Sequence, residues 1–316
     1  MIVGSEMIKE LARQVRGGIE REPRGPLPLI ERSRADFANP PATGLRATWL
    51  GHSTVLLELD GATLLLDPVW TERASPFRHM GPKRFHPPPL PLAELPKLDA
   101  VVISHDHYDH LDRDTVPVLA ATGTPIVTSL GVGERLEHWG VAAAQVTELD
   151  WHERTSLRGL EITATPARHF SGRGVLDRNK SLWSSWVFKG PRHRVFFTGD
   201  TAFFGGLADI GRAHGPFDLN LIKIGAYSKA WPDVHLTPEE ALEVHAMLGG
   251  PAMLAIHWGT FNLAFHAWDE PPERLLQAAR GEKVEILIPR LGQLVEPERP
   301  PPLETWWRDV GAEGPR

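Results

Sequence analysis

Short apolar runs bounded by turn residues mark much of the chain as strand. Arg46 to Leu50, Thr54 to Asp60 and Ala62 to Leu66 read as strands, with Asp60-Gly61 a tight-turn signal between the last two. Val101 to Ser104 reads as a buried strand. Ile126 to Ser129 and Gln145 to Leu149 follow, on either side of a helix near Gly133 to Trp139. Ile162 to Arg168 is another apolar, β-rich run, and Ser185 to Lys189 and Arg194 to Thr198 pair across Gly190-Pro191. Leu219 to Ile224, Met253 to Ile256 and Glu285 to Pro289 complete the strands. Helices are expected over Met7 to Ile19, from Asp112 to Leu119, and over Pro271 to Arg280. A further helix opens at Thr237-Pro238-Glu239-Glu240, where cap, first-turn proline and acids stand in the favoured order, and it ends at Gly249-Gly250. Pro23 to Pro41 is an extended lead-in, and proline-rich Phe85 to Pro96 a rigid surface loop. Strands in two groups with outer helices fit an α/β sandwich of αββα layers.

At 316 residues and 41% hydrophobic, the chain is long and apolar enough to bury a substantial core, in one large domain or two. No linker divides it, and no short repeat is evident. A net charge of −6 argues against a nucleic-acid partner, whose phosphates want a basic face. The absence of cysteine excludes disulfides and thiolate metal ligands, and leaves compartment unread by redox chemistry. No stretch approaches the ~20 apolar residues of a membrane span, and Met1 to Arg24 lacks the apolar core of a secretory signal. A cytoplasmic location is therefore expected.

The chemistry concentrates in His105-x-His107-x-Asp109-His110, four candidate metal ligands directly after the Val101–Ser104 strand. Imidazole nitrogen and carboxylate oxygen both suit zinc, and a rigid turn at a strand end aims them at a common point with little motion. A solvated turn carrying surface histidines is the competing reading, but three histidines and an aspartate at this spacing rarely coincide. Three more candidates end apolar runs: His169 after Ile162–Arg168, Asp200 after Val195–Gly199, and His257 after Met253–Ile256. Singly, the histidines are equally well core residues and Asp200 a turn cap. Together the seven make a ligand set, delivered to one edge of a layered fold.

These residues, with the Thr198-Gly199-Asp200-Thr201 segment, resemble the metallo-β-lactamase superfamily. Further segments resemble one branch of it, the N-acylphosphatidylethanolamine-hydrolysing phospholipase D family. They are Gly51-His52-Ser53-Thr54, Asp67-Pro68-Val69-Trp70, Gly81-Pro82-Lys83-Arg84-Phe85, Gly225-Ala226-Tyr227, His235 with Pro238-Glu239-Glu240-Ala241, and Ala255 to Phe261. The resemblance spans roughly 45–295. It implies a metallo-β-lactamase-like αββα sandwich with two mixed sheets flanked by helices. The chain then divides into a lead-in over 1–44 packing on the body, a hydrolase domain over 45–295 and a tail over 296–316. Trp306-Trp307 in that tail is expected to pack on the body.

The resemblance also implies roles. His105, His107 and His169 would hold one metal, Asp109, His110 and His257 a second, and Asp200 would bridge them. Two zinc ions are the first expectation, with iron or manganese at one site compatible with the same donors. The implied reaction is attack on the phosphorus of a lipid phosphodiester by a hydroxide held between the ions, with Asp109, Asp200 and His235 in catalytic roles. His235 would donate to a phosphoryl oxygen or to the leaving group. Tyr227, Phe203, Phe204 and Lys180 are the further substrate-side candidates, the two phenylalanines because they follow the Asp200 turn directly. A phospholipid or other small ester is the expected partner, with peripheral membrane contact as a corollary and a homodimer as the family-like state. A hydrolase of the same fold acting on a lactone, β-lactam or other small ester or amide is the alternative. Three departures bear on substrate choice. The segment 228–234 is short and lacks the acid-Pro-Arg that commonly follows the tyrosine; Lys223 stands where an apolar residue or proline is expected; and residues before 45 match poorly.

Overall fold

Among the residues described by the computed structural model, 4–311, fourteen strands form two mixed seven-stranded sheets. The first sheet holds β1 (Leu45–Gly51), β2 (Thr54–Leu59), β3 (Ala62–Leu66), β4 (Ala100–Ile103), β5 (Ile126–Ser129) and β6 (Val146–Leu149). The second holds β7 (Arg154–Leu157), β8 (Leu160–Thr165), β9 (Ser185–Lys189), β10 (Arg194–Phe197), β11 (Leu219–Lys223), β12 (Ala252–Ile256) and β13 (Glu285–Leu287). The chain then returns, and β14 (Leu294–Val295) pairs with β1 at the edge of the first sheet. Strand orders are β14-β1-β2-β3-β4-β5-β6 and β13-β12-β11-β10-β9-β8-β7. In each sheet, parallel pairing runs through one half (β3 to β6, β10 to β13) and antiparallel pairing through the other.

The alternation of side chains along a strand explains the layering. Val55, Leu57, Leu64, Leu66 and Val102 face the core shared by the two sheets, where they meet Ile162, Phe188, Phe197, Leu221 and Leu254. Their neighbours Leu56, Leu65, Val101 and Ile103 face the opposite way, beneath α2 (Val116–Ala120) and α3 (Gly133–His138). A strand buried on both faces must be apolar throughout, as β2 to β5 are. On the outside of the second sheet lie α4 (Gly206–His214), α5 (Pro238–Leu248) and α6 (Glu270–Ala278), which contact one another in series. Each fully buried leucine or phenylalanine contributes roughly 1.5–3 kcal/mol of transfer free energy. Before the sheets stands α1 (Gly4–Arg16).

The start of α5 agrees with its sequence signal: Glu240 N donates to Thr237 Oγ1 (3.2 Å) and Thr237 N to the Glu240 carboxylate (2.8 Å), a reciprocal capping box. Three elements were not expected. Strand β7 is polar and partly exposed at a sheet edge, α4 begins in the glycine pair 205–206, and β14 is two residues long. The 85–96 segment corrects the surface-loop expectation, because His86 and Leu90 within it are buried.

Candidate metal centre

Seven strand ends converge on one edge of the sandwich. Beyond β1 comes His52, beyond β3 Asp67, beyond β4 the Ser104–His110 turn, beyond β8 His169, beyond β10 Asp200, beyond β11 Ala226 and Tyr227, and beyond β12 His257. Among the described residues, eight other than glycine have positive φ, and four of them lie here: His52 (+50°), Asp67 (+39°), Ala226 (+64°) and His257 (+63°). Such backbone costs of order 1–3 kcal/mol per residue and persists where a functional arrangement demands it. Gly199, at φ +52°, admits Asp200 to the edge because a Cβ there would lie 2.6 Å from Ser104 Cβ.

Asp200 stands at the centre. Its Oδ2 is 3.3 Å from His110 Nε2, 3.6 Å from His169 Nε2 and 4.0 Å from His105 Nε2, and its Oδ1 is 3.0 Å from His257 Nε2. Donor atoms of His105, His107, His169 and Asp200 all lie within 4.8 Å of one another, as do those of His52, Asp109, His110 and His257. The first group brings together His105, His107 and His169 with Asp200, and the second brings Asp109, His110 and His257 together with His52. A third, Asp200, His235 and His257, brings His235 to the same place.

The donor chemistry fits divalent cations. Ser104 Oγ donates to Asp67 (2.6 Å), so His105 Nδ1–H donates to Ser104 Oγ (2.9 Å) and leaves the Nε2 lone pair free. His169 Nδ1–H donates to Val234 O (3.0 Å), which frees its Nε2 as well. These two Nε2 atoms lie 2.8 and 3.2 Å from His107 Nδ1. His110 Nδ1 donates to Asp67 Oδ2 (2.6 Å) and turns its Nε2 inward. Buried His110 Nε2, His257 Nε2 and Asp200 Oδ1 make no hydrogen bond, a state a cation would relieve. The electrostatics agree. Burial opposes charge on the Asp200 carboxyl, yet His257, His110, Lys223 and His235 hold it well below the usual carboxylate range. Burial likewise opposes charge on His110, but Asp200, Asp109 and Asp67 around it raise its pKa well above the ordinary value. Negative potential is concentrated where the nitrogens converge.

Three residues of the site were missed as site residues, although the sequence reading quoted each within a segment. Asp67 orients both His110 and, through Ser104, His105. His52 Nε2 donates to Asp109 Oδ2 (2.9 Å), and its backbone carbonyl accepts from His257 N (2.8 Å). Lys223, fully buried, donates from Nζ to Gly225 O (3.0 Å) and to His235 Nδ1, and lies 3.9 Å from Asp200 Oδ1. Burial lowers its ammonium to about 8, against the pull of Asp200.

Of the substrate-side candidates, His235 and Tyr227 share a cavity of about 270 Å³ with His266, Phe265 and Arg13. The Tyr227 ring stacks on His266 (4.4 Å between centroids) and its hydroxyl donates to Glu270 (2.7 Å). Phe203 and Phe204 are half-buried and pack against the main core beside α4. Lys180 is exposed on the loop that follows His169.

Comparison with known proteins gives the family and the fold. Residues 62–258 match the family model described as a beta-lactamase superfamily domain. An uncharacterized protein of Mycobacterium tuberculosis is 50% identical over 90% of this chain and 77% of its own. The N-acyl-phosphatidylethanolamine-hydrolyzing phospholipase D 1 of Caenorhabditis elegans is 42% identical over 75% of this chain and 69% of its own. Among solved structures, the metallo hydrolase Igni18 of Ignicoccus hospitalis shares the fold, with TM-score 0.61 and 23% identity over 79% of this chain and 97% of that one. The chain therefore belongs to the metallo-β-lactamase superfamily, as a metal-dependent hydrolase resembling the N-acylphosphatidylethanolamine-hydrolysing phospholipases D.

Proposed function

We propose that the protein is a binuclear, zinc-dependent phosphodiesterase of phospholipase D type, acting on N-acylphosphatidylethanolamine-like lipids. One observation carries the reading: the Asp200 carboxylate stands between two histidine groups, with His235 beside it at 3.7 Å. The 42% identity to a relative that bears this activity in its name supports the substrate class. Two cations held by His105, His107 and His169 and by Asp109, His110 and His257, sharing Asp200, would supply a hydroxide nucleophile near neutral pH and Lewis-acid stabilisation of a phosphoryl oxygen.

The chain's own residues do the positioning. The His52 hydrogen bond holds Asp109 against His110 and His257, at 3.5 and 3.6 Å from its Oδ2. Lys223 donates to Nδ1 of His235, so hydrogen-bond bookkeeping assigns the His235 proton to Nε2. In that tautomer His235 is a donor, suited to a phosphoryl oxygen or to the alcohol oxygen as it leaves. The Tyr227 hydroxyl is occupied by Glu270, so its part is the cavity wall. Phe203 and Phe204, beside the Asp200 turn, are assigned to the acyl side of the substrate.

The test is release of phosphatidic acid and N-acylethanolamine from N-acylphosphatidylethanolamine by zinc-loaded protein, read by mass spectrometry with Asp200→Asn as control. Release that the control abolishes is expected. No release by fully metallated protein would transfer the site to a lactone, β-lactam or other small ester or amide.

A further inference from the structure

Lys223 is the last residue of β11, a strand enclosed by β10 on one side and β12 on the other. Its backbone N donates to Thr198 Oγ1 (3.1 Å), and it pairs in register with Ile256. It therefore stands between the two segments that deliver Asp200 and His257. A lysine withdrawn fully from water loses the hydration of its ammonium, a cost ordinarily offset by a carboxylate in contact. Among the described residues the closest carboxylate oxygen, Asp200 Oδ1, is 3.9 Å away. The hydrogen bonds of Nζ go instead to Gly225 O (3.0 Å) and to His235 Nδ1.

The distances around Asp200 show what the bond to His235 prevents. Two ligand atoms of one zinc, at ordinary bond lengths and tetrahedral angles, stand about 3.3 to 3.6 Å apart. His110 Nε2 and His169 Nε2 lie 3.3 and 3.6 Å from Asp200 Oδ2, and His235 Nδ1 lies 3.7 Å from the same oxygen. The His235 ring also stands between the two ligand groups, with its centroid 5.3 Å from that of His169 and 5.4 Å from that of His257. With Asp200 and His257 it forms a third convergent set of donors. By position, His235 is placed as the metal-binding histidines are. Lys223 sets it apart. A neutral imidazole has one nitrogen with a free lone pair, and here the ammonium donates to it. The same ammonium puts a positive charge on the line along which a cation would approach Nδ1.

We infer that Lys223 is a positioning residue, a tethered cation that keeps His235 out of metal coordination and so leaves it free for substrate. The role rests on the substrate-side reading of His235, and its test reads metal rather than turnover. Wild type, Lys223→Met, His235→Ala and the double variant are compared by chelator competition for zinc and by the visible spectrum of the cobalt-substituted protein. Methionine keeps the length of the stem while removing charge and donor, and an apolar chain in place of a buried ammonium is well tolerated. Lys223→Leu replaces it should that variant not fold. In the wild-type background, His235→Ala is expected to leave zinc affinity and cobalt spectrum unchanged. In the Lys223→Met background the freed imidazole becomes a ligand, so zinc affinity rises and the cobalt bands change position and intensity. There His235→Ala should reverse both, with at least about a tenfold loss of affinity. A lysine needed only for packing would not make the effect of His235→Ala depend on its presence. An equal loss in both backgrounds would show His235 to be a ligand already, and would remove its substrate-side reading together with the guard role. No loss in either background would overturn the guard role alone.

Discussion

His110 divides its two nitrogens between Asp67 and the centre, and that division is a single-residue property open to test. Asp67→Asn replaces a carboxylate acceptor with an amide that also donates, so both His110 and Ser104 lose their fixed orientation. Metal affinity is expected to fall roughly 10- to 100-fold, measured by chelator competition on protein that still folds. Unchanged affinity would reduce Asp67 to a strand-end anchor. His235→Ala removes a donor and no cluster-defining carboxylate. It should lower phosphodiester turnover about 10²–10³-fold with bound metal unchanged, whereas loss of metal would make His235 a ligand. The seven histidine and aspartate candidates were legible because each ends an apolar run, and such runs become strands that stop at one edge. Asp67 was not, since an aspartate before proline reads as a turn until its partner across the sheet is known. Lys223 registered only as an oddity in the sequence. A lysine among apolar residues gives no hint that strand alternation points its ammonium inward at His235.

Among elements, α5 was readable because its start depends on four consecutive residues, whereas α4, opening on glycine, relies on packing of Leu207 and Ile210 into the core. Turns also carry information between the sheets. Asp60, in the β2–β3 turn, accepts from His193 Nδ1 (2.7 Å) and from the backbone of Arg192 and His193 (2.8 and 3.0 Å), in the β9–β10 turn. Burial works against charge on His193, but hydrogen bonds to Asp60 and Glu298 outweigh it and raise its pKa above 6.5. Burial works against the Asp60 carboxylate too, and the Arg192 and His193 donors outweigh it and lower its pKa below 3.8. A raised histidine stabilises fully below its unfolded value and loses that contribution as pH rises through the folded one. A lowered aspartate stabilises above its unfolded value and loses that as pH falls through the folded one. The clasp is thus strongest between about pH 4 and 6.5. His193→Asn should cost on the order of 1–2 kcal/mol at pH 6 and less at pH 9, as read from urea unfolding. An equal cost at both would show that the imidazole works uncharged.

At the scale of the molecule, two sheets were foreseeable from two groups of runs, but their closure was not. Strand β14 is too short to announce itself, and it pairs with β1 from the far end of the sequence. Nearby, Trp49 stacks on Trp258 (5.5 Å) and Trp258 on Trp306 (5.3 Å), so β1, the segment after β12 and the tail share one aromatic column. That column stands behind His52 and His257, whose backbones are joined and flanked by a hydrogen bond from His52 N to Thr260 spanning 208 residues.

This arrangement imposes an order in time. A ribosome delivers His105 to His110 long before His257, and β14 and the Trp306 that completes the column come later still. A nascent chain therefore displays an incomplete metal trap from residue 110 until residue 257 is added, with nothing to hold the ligands in register. Chains stalled before Met253 should bind zinc far more weakly than released protein in the same chelator buffer, and equal binding would contradict the sequence of events. The cation is then a late arrival, admitted after translation has ended, and the wrong ions of the nascent period have no finished place in which to be caught.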